Sequence, residues 1–84
     1  MNQFNKLAKD YFRLKSIGIK NHFDQFIYRL IEKQPGITIP ELEKMAGPSH
    51  QSEAIRTSLQ MLVLIPVIKK DGDKLYILEK EKSQ

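Results

Sequence analysis

The sequence predicts an α+β domain, mainly helical, with four helices followed by a C-terminal two-stranded hairpin. Three observations carry this. Apolar residues recur at spacings of three and four in several separate stretches, the period of one helix face. Thr38 with Glu41 three residues later is a capping-box pattern that opens a helix. Asp71-Gly72 stands between two β-prone runs, the short-range signature of a hairpin.

The first helix is expected over about residues 3–17. Phe4, Leu7, Tyr11 and Leu14 form one stripe, widened by Ala8 and Phe12, with Lys6, Lys9, Arg13 and Lys15 largely off it. Gly18 suits a left-handed stop. The stripe also fits a short a/d seam, so it is a candidate dimer surface. A second helix is expected over 21–34, with Asn21 as N-cap, Asp24 near the positive end of the dipole, and Pro35-Gly36 ending it. Phe23, Phe26, Ile27, Leu30 and Ile31 form its buried face.

Thr38 caps a short third helix with Pro40 in its first turn, where the missing N–H costs least. Leu42, Met45 and Ala46 are expected to face inward, and Gly47-Pro48 stops it. Ser49 or Ser52 caps a fourth helix that runs to Ile65, before Pro66, with Ile55, Leu59 and Leu62 inward. The strands Val67–Lys70 and Lys74–Leu78 flank the Asp71-Gly72-Asp73 turn. Residues 79–84 alternate in charge, lack apolar anchors, and read as a frayed tail.

The chain is read as one domain, 1–84: an N-terminal helix (1–18), a core (19–78) and the tail (79–84). With 84 residues there is one modest core and no second domain. There is no Cys, so disulfides and thiolate metal sites are excluded. The longest apolar run, Met61 to Ile68, is interrupted by Pro66 and is far below the ~20 residues that span a bilayer. No signal peptide is read at the start, so a cytoplasmic protein with no membrane contact is expected. The formal net charge is +4, which favours a polyanionic partner. Residues 1–33 carry seven Lys/Arg against three Asp/Glu, whereas residues 34–66 carry two against three.

A capped short helix with an inward Leu42, then Ile55-x-x-x-Leu59-x-x-Leu62, then Val67-Ile68-x-Lys70 and an Asp-Gly turn resembles the winged helix-turn-helix superfamily. The general likeness is to the group holding MarR-like and ArsR-like regulators. It covers residues 37–78, with 22–36 as the preceding helix, about two-thirds of the chain. The sequence departs from that pattern at Pro66, where Gly is common, and in the turn Gly47-Pro48-Ser49-His50. The resemblance implies a wing and a recognition helix at about 51–65 that enters the major groove of double-stranded DNA, with the first helix as an addition to that winged-helix core.

On that helix Gln51, Glu53, Arg56, Thr57 and Gln60 lie opposite the apolar stripe. Gln pairs bidentately with adenine and Arg with guanine, and Arg56 is the helix's one base-reading cation. Ser49, Ser52 and the first-turn N–H groups suit a phosphate; His50 lies in the same turn. Lys69, Lys70 and Lys74 suit a wing on the backbone, although lysines on an edge strand also discourage aggregation. The expected assembly is a homodimer on a pseudo-palindrome, its recognition helices about 34 Å apart. Its interface is drawn from Phe4, Leu7, Tyr11, Leu14, Met61, Leu64 and Ile65, because residues 61–65 are apolar all round. No nucleophile, base and orienting acid stand together, so no catalysis is expected. His22 and His50 lack partners at ligand spacing, so no metal, cofactor or small-molecule ligand is expected. A docking module in a larger replication, partition or transcription complex is the alternative.

Overall fold

The computed structural model describes residues 2–47 and 52–78, with side chains from Ala8 onward in the first helix. The elements are α1 (Asn2–Ser16), α2 (His22–Lys33), β1 (Ile37–Thr38), α3 (Ile39–Ala46), α4 (Ser52–Leu64), β2 (Ile68–Asp71) and β3 (Lys74–Ile77). They form a small α+β domain, mainly helical, with one three-stranded antiparallel sheet in the order β1-β3-β2. The expected tail, residues 79–84, lies outside the described residues.

Local chemistry sets the helix boundaries. The Asn21 side chain accepts from the backbone N–H groups of Phe23 and Asp24, capping α2. Thr38 and Glu41 complete the capping box of α3: Thr38 Oγ1 accepts from the Glu41 N–H, and the Glu41 carboxylate accepts from the Thr38 N–H. After α1 the chain turns at Gly18, whose φ of 107° is left-handed. A Cβ built there would stand 3.0 Å from Ile65 Cγ2, so a larger residue would also press on that side chain. At the end of α4, Ile65 and Pro66 pass the chain into β2 through a cis peptide bond.

The core collects Leu14 from α1, Ile27, Tyr28 and Ile31 from α2, Leu42 from α3, and Ile55, Leu59 and Leu62 from α4. Ile37, Ile68 and Leu75 close it from the sheet. The pairing Ile37↔Leu75 explains why both are buried: they share one face of the sheet. Two buried polar groups are satisfied within this core. Gln25 Nε2 donates to the carbonyls of Ile19 (2.8 Å) and Tyr11 (3.3 Å), and its Oε1 accepts from Arg29. Ser58 Oγ donates to Asp24 Oδ1 at 2.6 Å, joining α4 to α2. On the surface, Asp10 receives Arg13 and Arg29, and Arg13 also meets Glu32, so α1 is clamped to α2 by ion pairs.

Three expectations are corrected. The sheet has a third strand, β1, rather than the hairpin alone. At two residues it is too short to show an alternating pattern, and it runs directly into the cap of α3. Met45 is exposed rather than inward, because α3 has eight residues and buries only Leu42 and Ala46. Leu14, expected at a dimer surface, is fully buried in the core of its own chain.

Candidate nucleic-acid interface

The helix α4 presents two faces. Ile55, Ser58, Leu59 and Leu62 are buried, spaced three and four apart, and hold it against α2 and the hairpin. Ser52, Glu53, Arg56, Thr57 and Gln60 are all exposed. The side chain of Arg56 is 69% accessible. Ser49, His50 and Gln51, assigned with them to DNA contact, lie outside the described residues.

The hairpin brings only one of its lysines to this surface. In the register of β2 with β3, Lys70 faces Leu75 and Ile68 faces Ile77, so these four share the inward face. Lys69 opposite Tyr76, and Asp71 opposite Lys74, share the other. The expected cluster of Lys69, Lys70 and Lys74 is therefore split across the sheet. Lys70 lines a cavity of about 660 Å³ together with Arg56 and Gln60 of α4 and Glu43 of α3. Ile39, Val63 and Leu64 line the same cavity, as does Asp73 in the hairpin turn.

Glu43 had no signal in the sequence, because its meeting with α4 is a product of how α3 crosses that helix. Its Oε2 is buried without a hydrogen bond, and Arg56 Nε stands 3.7 Å from it. That separation is an ion pair but exceeds a hydrogen bond. Arg56 is thus biased toward Glu43 while keeping most of its surface in solvent. Without a hydrogen bond the pair holds Arg56 weakly, and the exposed guanidinium stays available to a stronger anion.

The charge of these elements is balanced. The described parts of α3, α4 and the hairpin carry Lys44, Arg56, Lys69, Lys70 and Lys74 against Glu41, Glu43, Glu53, Asp71 and Asp73. The basic surplus lies on the helix pair α1–α2 and the turn between them. There Lys9, Lys15, Lys20 and Lys33 are exposed, whereas Arg13 and Arg29 are engaged by Asp10 and Glu32. Tyr11 on this side stacks on His22 at 5.0 Å and carries Lys15 over its ring. Burial raises the Asp10 carboxyl, but hydrogen bonds and charge from Arg13 and Arg29 outweigh it and hold the group below the usual carboxylate value.

Of the residues assigned to a dimer surface, Met61 (52%) and Leu64 (77%) are exposed. Ile65 is half-buried, packed on the core and against the Gly18 turn. Tyr11 is half-buried beside His22 and Phe12. The side chains of Phe4 and Leu7 lie outside the described residues. Among the described residues no group of three His, Asp or Glu could hold a metal ion, and no helix is long and apolar enough to cross a membrane. No protein-family model, curated protein or solved structure matches the chain.

Proposed function

We propose that this chain is a winged helix-turn-helix protein that binds double-stranded DNA through α4 and acts as a small intracellular transcriptional regulator rather than an enzyme. The observation that carries the reading is the shared surface of Arg56, Gln60 and Lys70. A base-reading cation, a base-reading amide and a phosphate-binding lysine converge from two elements on one concavity. The helix behind them is anchored by Ile55, Leu59 and Leu62. Its 13 residues span about 20 Å, and an α-helix fits a major groove about 12 Å wide. The order of elements and the sheet order β1-β3-β2 support the winged-helix assignment.

In this reading α4 lies in the major groove. Arg56 leaves Glu43 for a guanine edge or a phosphate, Gln60 addresses adenine, and Lys70 follows the backbone. Duplexes selected from a random pool test it. Fluorescence anisotropy with the selected site is expected to give affinity that falls as salt rises. Arg56→Ala is expected to weaken the selected site by about 1–3 kcal/mol and to relax preference at one base pair. Affinity independent of salt, or a pool that enriches nothing, overturns the proposal.

One observation favours a second reading, a docking module. Met61, Val63 and Leu64 are exposed beside the reading residues, on a surface of balanced charge. Loss of a protein partner on changing Met61 or Leu64, with DNA affinity unmoved by Arg56→Ala, selects that reading instead.

A further inference from the structure

We propose that a second copy of this chain docks face to face on the cavity between α3, α4 and the β2–β3 hairpin, and that this pairing and duplex binding exclude each other. The exclusion rests on the DNA reading above; the pairing does not.

The centre of the surface is apolar and open. Val63 and Leu64 are two of the five exposed large hydrophobic side chains among the described residues, and Ile39 and Pro40 stand beside them. Val63 and Leu64 line the cavity. An apolar patch edged by charges is the anatomy of an interface core with a polar rim.

The charges say which partner fits. The cavity is lined by two cations, Arg56 and Lys70, and two anions, Glu43 and Asp73. A two-fold contact sets a patch against its own rotated copy, so each sign must find the other within the same patch. Two of each meet that condition. Glu43 is engaged within its own chain. Its Oε2 is shielded from solvent and has no hydrogen bond, its own Arg56 Nε stopping at 3.7 Å.

The exclusion follows from shared residues. Arg56 and Gln60, assigned to the bases, line the same cavity as Val63 and Leu64. A copy seated on the apolar residues covers the base readers. Self-association then sets the fraction of chains able to bind DNA, without an added effector. In this proposal Leu64 joins two copies in a form that cannot read DNA, an assembly different from the pseudo-palindromic dimer that the resemblance led us to expect.

Sedimentation equilibrium of the full chain tests the pairing. A reversible monomer–dimer equilibrium is expected, with Leu64→Ser raising the dissociation constant about tenfold or more. Two charge variants add a readout that an intrachain role cannot move. One carries Arg56→Glu and Lys70→Glu; the other carries Glu43→Lys and Asp73→Lys. Each alone is expected to stay monomeric. Mixed one to one at physiological salt they are expected to associate, and Leu64→Ser in both is expected to abolish it. Circular dichroism checks that every variant is folded. A wild-type chain still monomeric near 1 mM overturns the pairing. So does a dimer untouched by Leu64→Ser, or a charge-swapped mixture that stays apart. For the exclusion, titrating the dimer with the selected duplex is expected to give complexes holding monomers. A complex retaining the dimer, with Leu64→Ser leaving its DNA affinity unchanged, overturns the exclusion while leaving the DNA reading intact. Absence of any duplex binding overturns the DNA reading and the exclusion, but not the pairing.

Discussion

Ser58 of α4 donates a 2.6 Å hydrogen bond to the carboxylate of Asp24 in the first turn of α2, from a site almost wholly shielded from solvent. The two residues lie 34 positions apart, so the bond fixes how α4 sits on α2. Asp24 also lies near the positive end of the α2 dipole, which favours its charge. Ser58→Ala leaves that carboxylate oxygen without its donor. The expected loss is about 1–2 kcal/mol, read as a lower urea midpoint with an unchanged slope. A change below about 0.3 kcal/mol would mean water replaces the hydroxyl at no cost.

The Asp10 clamp makes the seating of α1 sensitive to acid. Its folded-state carboxyl is held below the usual value, chiefly by Arg13 and Arg29 working against the effect of burial. A depressed carboxyl contributes stability that is complete above its unfolded value, near 3.9 for Asp, and is lost as pH falls through the folded value. Thermal midpoints are therefore expected to be flat from about pH 7 to 5 and to fall below about pH 4. Asp10→Asn is expected to lower the midpoint at pH 7 and to shrink the acid-side decline. An unchanged acid profile in that variant would remove Asp10 as the cause.

Glu43 restrains Arg56 in the free protein. Glu43→Gln removes the opposing charge and takes an anion away from the proposed DNA surface. Anisotropy titration is expected to show binding about two- to fivefold tighter, the scale of one weak ion pair. Weaker binding would show instead that Glu43 holds Arg56 in the orientation the duplex requires.

Leu62 and Leu64 stand two positions apart on α4 and face opposite environments. Leu62 is fully buried, while Leu64 is largely in solvent. Leu62→Ala is expected to cost about 2–5 kcal/mol through lost burial and the space left behind. Leu64→Ala, measured at a dilution where the chain is monomeric, is expected to stay within about 0.5 kcal/mol. Comparable losses at both sites would mean Leu64 is packed in solution.

Much of the fold was legible locally. The caps at Asn21 and Thr38, the inward stripe Ile55, Leu59 and Leu62, and the Asp-Gly hairpin all depend on residues within a few positions of one another. Helix period, capping and turn chemistry act over that range, and a sequence displays them directly. The outward set on α4 was legible for the same reason, since the buried stripe determines its opposite face.

Tertiary packing decided the rest. Whether the apolar stripe of α1 served its own core or a neighbour could not be read from spacing alone; the fold buried Leu14 and left Phe12 exposed. The pairing of Ile37 with Leu75, the meeting of Glu43 with Arg56, and the parting of Lys69 and Lys74 from Lys70 each join or separate residues by the crossing of distant elements. The sequence by itself determined the four helices, the β2–β3 hairpin and which side of α4 turns outward, because those choices rest on short-range hydrogen bonding and periodicity; β1 it left unread. Only the folded chain decided which of those surfaces share a cavity and which charges face one another. Such contacts depend on how rigid elements pack around a common core, and no local pattern encodes that arrangement.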